Sequence, residues 1–146
     1  MQCLFCGKPT KVIDKRDSDD ITRRRRHCTV CKKRFTTYER PEIHVTVIKK
    51  DGRRERYDRD KVLGGILKAC EKRPVARDTI DAIVNEIDVR VLSMGHEVPS
   101  SAIGDLVMEK LKTLDKVAYI RFASVYREFD DINKFEKEVK ILLKDR

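Results

Sequence analysis

The sequence predicts an α+β fold in two parts: a small β-rich N-terminal module, then a mainly helical domain with a short β-hairpin. Cysteine pairs and an arginine run, set among short alternating segments, characterise the chain before about residue 41. The β-branched segment 43–49, followed by Asp51-Gly52 and the returning segment 53–57, predicts the hairpin. Apolar residues at helical spacing fill the remainder, so amphipathic helices are expected there.

Five helices are predicted from this periodicity. The third and fourth carry Ile103 and Phe122 among their apolar positions. The apolar face of the second is expected to hold Ile80, Ile83, Val84, Ile87 and Val91, and the inward face of the fifth Ile132, Phe135, Val139 and Leu142. The second spans about 78–94 and ends at Gly95, while the first is expected to end at Pro74. The starts of the other four carry short polar residues of the kind that cap helix N-termini: Asp58, Ser100 or Ser101, Asp115 and Asp131.

Positive charge is concentrated at one end of the 146-residue chain. Residues 1–50 hold 14 Lys and Arg against 6 Asp and Glu, whereas residues 51–146 hold 20 against 19. This asymmetry indicates a polyanion-binding end joined to a nearly neutral body, although a solvated basic surface is the alternative. No apolar run approaches the roughly 18 residues of a membrane span, so we expect no membrane partner and a location in the cytoplasm or nucleoid.

Four of the five cysteines form two pairs, Cys3-x2-Cys6 and Cys28-x2-Cys31, with 21 residues between them. Such knuckles aim four thiolates at one tetrahedral metal, so we expect one structural zinc ion per subunit. Redox dithiols are the alternative for a single pair, but two copies argue against them. Because sulfur fills every coordination position, no zinc catalysis is expected, and a module of about 40 residues needs the metal to fold. The fifth cysteine, Cys70, is interpreted as a buried core thiol.

Basic side chains surround the second cysteine pair and predict nucleic-acid binding, since arginine suits phosphates and guanine edges. If residues 23–27 form a strand, alternate arginines face opposite sides of it. The alternative is a protein-contact module whose charge serves solubility. The expected DNA-binding residues are Lys11, Lys15, Arg16, Arg23, Arg24, Arg25, Arg26, Lys33, Arg34, Thr36, Thr37, Tyr38 and Arg40.

Residues 3–40 resemble the zinc ribbon of the NrdR family, bacterial repressors of ribonucleotide reductase genes, and residues 46–139 resemble the ATP-cone that follows it. The resemblance rests on long motifs: Cys3-x-x-Cys6-Gly7, Val12-Ile13-Asp14, Arg23–Arg26, Cys28-x-x-Cys31, Arg34–Arg40, Lys49–Gly52, Ala69–Val75, Glu97–Ser100 and Asp115–Tyr126. The implied organisation is a zinc ribbon over 1–41, a linker and first strand over 42–48, an ATP-cone over 46–139 and a C-terminal helix end over 140–146.

The resemblance implies that ATP and dATP act as effectors, with Mg²⁺, and control both homo-oligomerisation and binding to double-stranded operators. The sequence itself has no P-loop and no G-x-G-x-x-G. From the residues alone, solvent exposure is the default reading of the lysines beside the hairpin. The nucleotide-binding residues implied by the family are Val47, Ile48, Lys49, Lys50, Glu55, Arg56, Tyr57, Lys61, Ser100, Tyr126 and Arg127.

Two other functions remain open from the residues. A nucleoside triphosphatase or zinc hydrolase is disfavoured because the expected zinc site is closed and no catalytic constellation stands out, so the chain is not expected to be an enzyme. An RNA-binding or ribosome-associated zinc ribbon with an adaptor domain is compatible with the same basic surface.

Overall fold

The computed structural model describes residues 1–18, 21–42 and 44–145. The chain divides into two compact units, Met1–Glu42 and Ile43–Arg146, called unit 1 and unit 2 below. Two positions of the predicted elements lie outside the described residues: Ile43, the first residue of the strand expected over 43–49, and Arg146, the last residue of the expected helix end.

Unit 1 is a three-stranded antiparallel sheet in the order β1-β2-β3. Its strands are β1 (Thr10–Ser18), β2 (Ile21–Cys28) and β3 (Arg34–Glu39). The arginine run lies on the central strand, which confirms the predicted strand over 23–27. The register of β1 shifts at Ile13, so that Val12 lies opposite Arg26 and Asp14 lies opposite Arg25. This bulge decides which charged residues of β1 share a face with which arginines.

The buried side chains of unit 1 are cysteines. Among its described residues only Cys3 and Cys28 are buried, at 4% and 0% exposure. Apolar side chains that would build a core elsewhere, such as Val12 and Ile13, are exposed at 45% and 49%. The hydrophobic effect therefore contributes little to the folding of this unit, and covalent or metal cross-links have to supply the rest.

Unit 2 combines a small sheet with five described helices, and together with unit 1 it confirms the α+β fold class. Its elements are β4 (Thr46–Ile48), β5 (Arg54–Arg56), α1 (Arg59–Ala69), α2 (Arg77–Ser93), β6 (Glu97–Pro99), α3 (Ser100–Leu114), α4 (Lys116–Tyr126) and α5 (Ile132–Lys144). No helix among the described residues has both the length and the apolar character needed to cross a membrane.

The predicted hairpin is present but belongs to a larger sheet. Strands β4 and β5 pair antiparallel around a turn in which Gly52 has a φ of +83°, a conformation that favours glycine. Strand β6 then pairs parallel to β4 on its other edge. A strand of three residues carries too little alternation to be read from sequence, and its partner is distant along the chain.

The cap predicted for α3 is wrong. Pro99, the last residue of β6, is the N-cap, and no side chain caps the helix. Because the strand passes directly into the helix, Ser100 and Ser101 are already helical. Helix α1 also ends at Ala69, earlier than Pro74, because Cys70 leaves the helical conformation and Lys72 turns the chain with a φ of +57°.

The helix caps predicted at three aspartates are confirmed: Asp58, Asp115 and Asp131 each accept backbone N–H groups of α1, α4 and α5. The predicted apolar face of α2 is also confirmed, since all of its members are buried: Ile80, Ile83, Val84, Ile87 and Val91. Cys70 is buried in the core as expected, at 6% exposure. Ile132, expected to face inward from α5, is instead 74% exposed, because the buried positions of that helix, Glu138 and Leu142, lie further along it.

Asp115 joins two parts of unit 2. Its carboxylate accepts the Ala118 N–H at 2.8 Å as the cap of α4, and the Arg73 Nε at 2.9 and 3.1 Å. The side chain is 10% exposed, so these bonds are only partly screened by water. The Arg73 guanidinium, together with the capped N–H groups, holds the pKa of Asp115 below its ordinary value.

We predict that Asp115→Asn destabilises unit 2 by about 2 kcal/mol at pH 7, since it removes a charged cap and an ion pair. A carboxylate with a lowered pKa stabilises the fold above its unfolded pKa of about 4 and loses this contribution as pH falls through the folded value. The gap between variant and wild type should therefore shrink below about pH 4. Urea unfolding followed by far-UV circular dichroism measures it, with the exposed Asp130→Asn as control; a gap independent of pH would contradict the account.

Candidate functional site

The four N-terminal cysteines converge on one point in unit 1. Their Sγ atoms all lie within 4.8 Å of one another. Two closer approaches cross the cluster: Cys3 Sγ lies 3.6 Å from Cys31 Sγ, and Cys6 Sγ lies 3.5 Å from Cys28 Sγ. Zinc–sulfur bonds of about 2.3 Å place the sulfurs of a tetrahedron about 3.8 Å apart. The cluster therefore fits a zinc ion held by thiolates alone, with every coordination position filled.

The two cysteine knuckles have the same backbone geometry. After each pair the chain takes a positive φ, +69° at Gly7 and +60° at Lys32. The N–H of Gly7 donates to the Cys3 carbonyl at 2.9 Å, and the N–H of Lys32 donates to the Cys28 carbonyl at 3.1 Å. Because the same turn follows both cysteine pairs, each pair directs its two sulfurs toward one shared centre.

Backbone amides favour the thiolate form at two of the four cysteines, Cys3 and Cys28. The Cys31 N–H donates to Cys28 Sγ at 3.4 Å and, with other N–H groups, lowers the pKa of the Cys28 thiol to about 6. The Phe5 N–H makes the equivalent contact to Cys3 Sγ at 3.5 Å. Amide donors of this kind favour the thiolate, which is the form that binds zinc.

The arginine run divides between the two faces of the sheet. Directly paired residues of antiparallel strands point to the same side, so the register assigns Arg23 and Arg25 to one face and Arg24 and Arg26 to the other. The first, called the Arg25 face, carries five cationic residues and one carboxylate among the described residues of the sheet. Its members are Lys11, Asp14, Arg16, Arg23, Arg25, His27, Arg34, Thr36 and Tyr38.

The opposite side, called the Arg26 face, is largely neutralised by its own contacts. Arg24 forms an ion pair with Glu39, and Lys15 forms one with Asp17 at 2.9 Å. The Arg26 Nε donates to the Thr37 hydroxyl at 3.1 Å. Of the four arginines in the run, only Arg25 is exposed, and the other three are half-buried. The Arg25 face is therefore the side on which unit 1 presents excess positive charge.

Two more of the expected DNA-binding residues lie outside these strands. Lys33 places its ammonium 4.5 Å from the centre of the Phe5 ring, close to the first knuckle. Arg40 lies with its guanidinium 5.4 Å from the centre of the Tyr38 ring, which joins it to the Arg25 face. The predicted set is thus spread over both faces, and Lys15, Arg24, Arg26 and Thr37 do not share a surface with the others.

Unit 2 contains a cavity of about 490 Å³, called cavity A, between the hairpin and helices α1, α3 and α4. The hairpin and the start of α1 supply its basic lining, called the cationic end, while α1, α3 and α4 supply apolar lining; Asp51 and Glu128 are its acidic members. Its basic lining residues are Lys49, Lys50, Arg53 and Lys61, and its apolar ones include Val62, Ile103, Val107, Phe122 and Val125. Ser100 and Tyr126 complete the set of predicted nucleotide residues that line it.

Glu55 holds the cationic end together. Its Oε1 atom lies 3.1 Å from both the Lys49 Nζ and the Lys61 Nζ. The two ammonium groups keep the pKa of Glu55 below its ordinary value. One carboxylate oxygen thus positions two lysines side by side, in a geometry that an anionic oxygen of another molecule can exploit.

Six of the family-implied nucleotide residues do not line the cavity: Arg127, Glu55, which meets it only through its ion pairs with Lys49 and Lys61, and four others. Val47 and Tyr57 are core residues, at 5% and 7% exposure, and the Tyr57 hydroxyl donates to Asp88 at 2.7 Å. Arg56 lies 3.2 Å from His44 through its Nη2, and Ile48 lies on β4 without reaching the cavity. Strand alternation accounts for Arg56 alone, because Glu55 and Arg56 project to opposite sides of β5, whereas Val47 lies directly opposite Glu55 and shares its side.

Arg127 lies at a neighbouring cavity of about 610 Å³, called cavity B, which it shares with Lys50 and Tyr126. Its Nη1 donates to the Glu138 Oε2 at 2.7 Å. Tyr119 donates its hydroxyl to the other oxygen of Glu138, and burial together with that carboxylate raises the pKa of Tyr119 to about 12. Arg127 therefore joins α4 to α5 through an ion pair.

Several cavity residues were not singled out from the sequence. Arg53 follows the hairpin turn and adds positive charge. Phe122 and Ile103 are predicted from the sequence only as apolar positions of their helices. Gly104 lies on α3 directly below the Tyr126 ring. Their apolar spacing was visible, but a cavity wall and a packed core have the same helical period.

Comparison with known proteins matches both units. Residues 1–39 match the family described as the N-terminal domain of NrdR-like transcriptional repressors, and residues 45–132 match the ATP cone domain. A protein named transcriptional repressor NrdR from Thermoanaerobacter sp. (strain X514) is 59% identical across 99% of this chain and 95% of its own length. Proteins of the same name from Caldanaerobacter subterraneus subsp. tengcongensis and Symbiobacterium thermophilum are 56% and 52% identical, over 99% and 100% of this chain and 95% and 100% of their own lengths.

The chain belongs to the NrdR family.

Membership in the NrdR family confirms the resemblance read from the motifs. The relatives are named as repressors, in agreement with the prediction that the chain is not an enzyme. The N-terminal match contains all four clustered cysteines, so the cluster is that of a zinc ribbon. The ATP-cone match spans every residue that lines cavity A, whereas cavity B extends past residue 132 onto α5.

We predict that the chain retains about one zinc ion through dialysis against a mild chelator, and that Cys28→Ser loses it. Cys28 is fully buried and its Sγ belongs to the cluster, so its loss leaves three sulfur ligands. Cys70→Ala is the matched control, because Cys70 is equally buried but lies in unit 2. Elemental analysis measures the metal; zinc lost equally from both variants, or from neither, would contradict the assignment.

Proposed function

We propose that the protein is a zinc-dependent, DNA-binding transcriptional repressor of ribonucleotide reductase genes, whose operator binding is set by ATP and dATP. The Arg25 face carries the proposal, because it gathers excess positive charge on one side of a sheet closed by four cysteines. The names of relatives over 50% identical support it. Unit 1, over about 1–41, is the DNA-binding part, and the ATP-cone, over about 46–139, is the sensor. Such a protein is cytoplasmic and associates with the bacterial nucleoid.

The zinc ion has a structural role in this proposal. With four sulfur ligands it has no open position for water, so it supplies cross-linking and no Lewis-acid chemistry. Its effect on DNA binding is indirect. By closing the two knuckles it fixes the ends of β2 and β3, and so fixes the spacing of the arginines that meet the phosphates.

Cavity A is the proposed nucleotide site. Its cationic end suits a triphosphate, whose oxygens compete with Glu55 for Lys49 and Lys61. Its apolar end suits a base. A Mg²⁺ ion bound with the nucleotide would neutralise part of the phosphate charge. Ser100, at the start of α3, places the N-terminus of that helix on the cavity, where backbone N–H groups favour anions.

Regulation requires that ATP and dATP stabilise different oligomeric states of the chain. A ligand shifts an equilibrium only by its difference in affinity for the two states. In the proposed feedback, abundant dATP favours the state that grips the operator, so that synthesis of deoxynucleotides falls.

We predict that Arg23→Ala/Arg25→Ala weakens operator binding about ten- to a hundredfold and lowers the slope of log K against log salt by about 2, since two phosphate contacts are lost. Arg24→Ala/Arg26→Ala is the control from the Arg26 face, and zinc content verifies the fold of both. Fluorescence anisotropy with duplexes from upstream of ribonucleotide reductase genes measures it. Equal losses for the two pairs would contradict use of the Arg25 face, and a preference for structured RNA would favour an RNA-binding role.

We predict that wild-type chain differs between ATP and dATP in sedimentation and in operator affinity, and that Lys49→Ala/Lys61→Ala responds to neither nucleotide. The pair removes both ammonium groups on Glu55. Lys140→Ala is the control, because this lysine is exposed and pairs only with Glu136 among the described residues. Identical sedimentation and operator affinity of the wild type in both nucleotides would overturn nucleotide sensing.

A further inference from the structure

Gly104 is an unusual residue for its position. It lies within α3, where alanine is favoured over glycine. Its backbone does not need the freedom of glycine, since its φ is not among the positive values. The reason for a glycine must therefore lie in what approaches it.

That neighbour is the ring of Tyr126. A Cβ added to Gly104 would lie 2.1 Å from both Cε2 and Cζ of Tyr126, and 2.5 Å from its Oη. These distances are far below contact, so a side chain at residue 104 would force the Tyr126 ring to swing away from this position. The ring can occupy its place only because residue 104 has no side chain.

Tyr126 is held in this place from two further directions. Its hydroxyl donates to the Ser101 carbonyl at 2.7 Å, one turn before Gly104 on α3. Its face stacks on Phe122, with ring centres 5.7 Å apart and an interplanar angle of 29°. The tyrosine is thus seated against α3 and backed by a second aromatic ring of its own helix.

The seated ring is a wall of cavity A. Phe122 and Tyr126 are the aromatic residues that line this cavity, and Lys50 at its cationic end lies 6.0 Å from the centre of the Tyr126 ring. A ligand whose phosphates reach Lys49 and Lys61 can also contact these rings, because all of them line the same cavity. Any nucleobase can stack its flat face favourably on an aromatic side chain.

We propose that Gly104 is a positioning residue for nucleotide recognition: its missing side chain seats Tyr126 as the wall on which the base of the bound nucleotide stacks. The proposal rests on cavity A being the nucleotide site. A merely structural role, in which Gly104 lets α3 and α4 pack, would instead act through stability and would leave the ATP affinity of the folded protein unchanged.

A double-mutant cycle on ATP affinity separates these roles. Calorimetry on the full chain would compare wild type, Gly104→Ala, Tyr126→Ala and the double variant. We expect each single change to weaken ATP binding about tenfold or more, the range of stacking on one base. The double variant should bind like Tyr126→Ala alone, because the added methyl group then meets empty space.

Gly64→Ala is the matched control, since this helical glycine has no atom within 4 Å of an added Cβ and does not line the cavity. Its ATP affinity should equal that of the wild type. If Gly104→Ala does not fold, Tyr126→Ala and the double variant still decide the question. Unchanged affinity in Gly104→Ala, or a double variant much weaker than Tyr126→Ala, overturns the inference; a wild type that binds no ATP overturns the nucleotide site itself.

Discussion

The closure of four cysteines around one metal is the constraint on which unit 1 depends. Only Cys3 and Cys28 are buried among its described residues, so the sheet has no apolar core to stabilise it. The same closure fixes β2 and β3 at the second knuckle, and β2 carries Arg23 and Arg25. Metal binding therefore controls both the folding of this unit and the positions of the arginines proposed to face DNA.

The site residues of unit 2 are positioned differently, by an apolar core with charged residues at its edge. The core is extensive and needs no metal. At its surface Glu55 pairs with Lys49 and Lys61, which keeps two cations together without a ligand. Seating of Tyr126 on Gly104 completes the apolar end of the same cavity. A site prepared in this way spends less binding energy on ordering its own side chains.

The sequence predicted what depends on short spacings, and missed what depends on packing. Cysteine spacing was sufficient for the metal cluster, and strand alternation was sufficient to separate alternate arginines. The bulge at Ile13, which decides the partners of each face, has no local signature in β1. The three-residue strand β6 and the burial of Tyr57 follow from contacts between distant segments, and so does the approach of Tyr126 to Gly104.

We propose that zinc organises the DNA-binding surface of unit 1, whereas the nucleotide site of unit 2 forms without zinc. The most direct test removes zinc from the full chain with a strong chelator and measures operator binding and ATP binding in the same sample. The account predicts that operator binding is lost, that ATP binding persists, and that added zinc restores the former. Operator binding that survives in the zinc-free chain would contradict it.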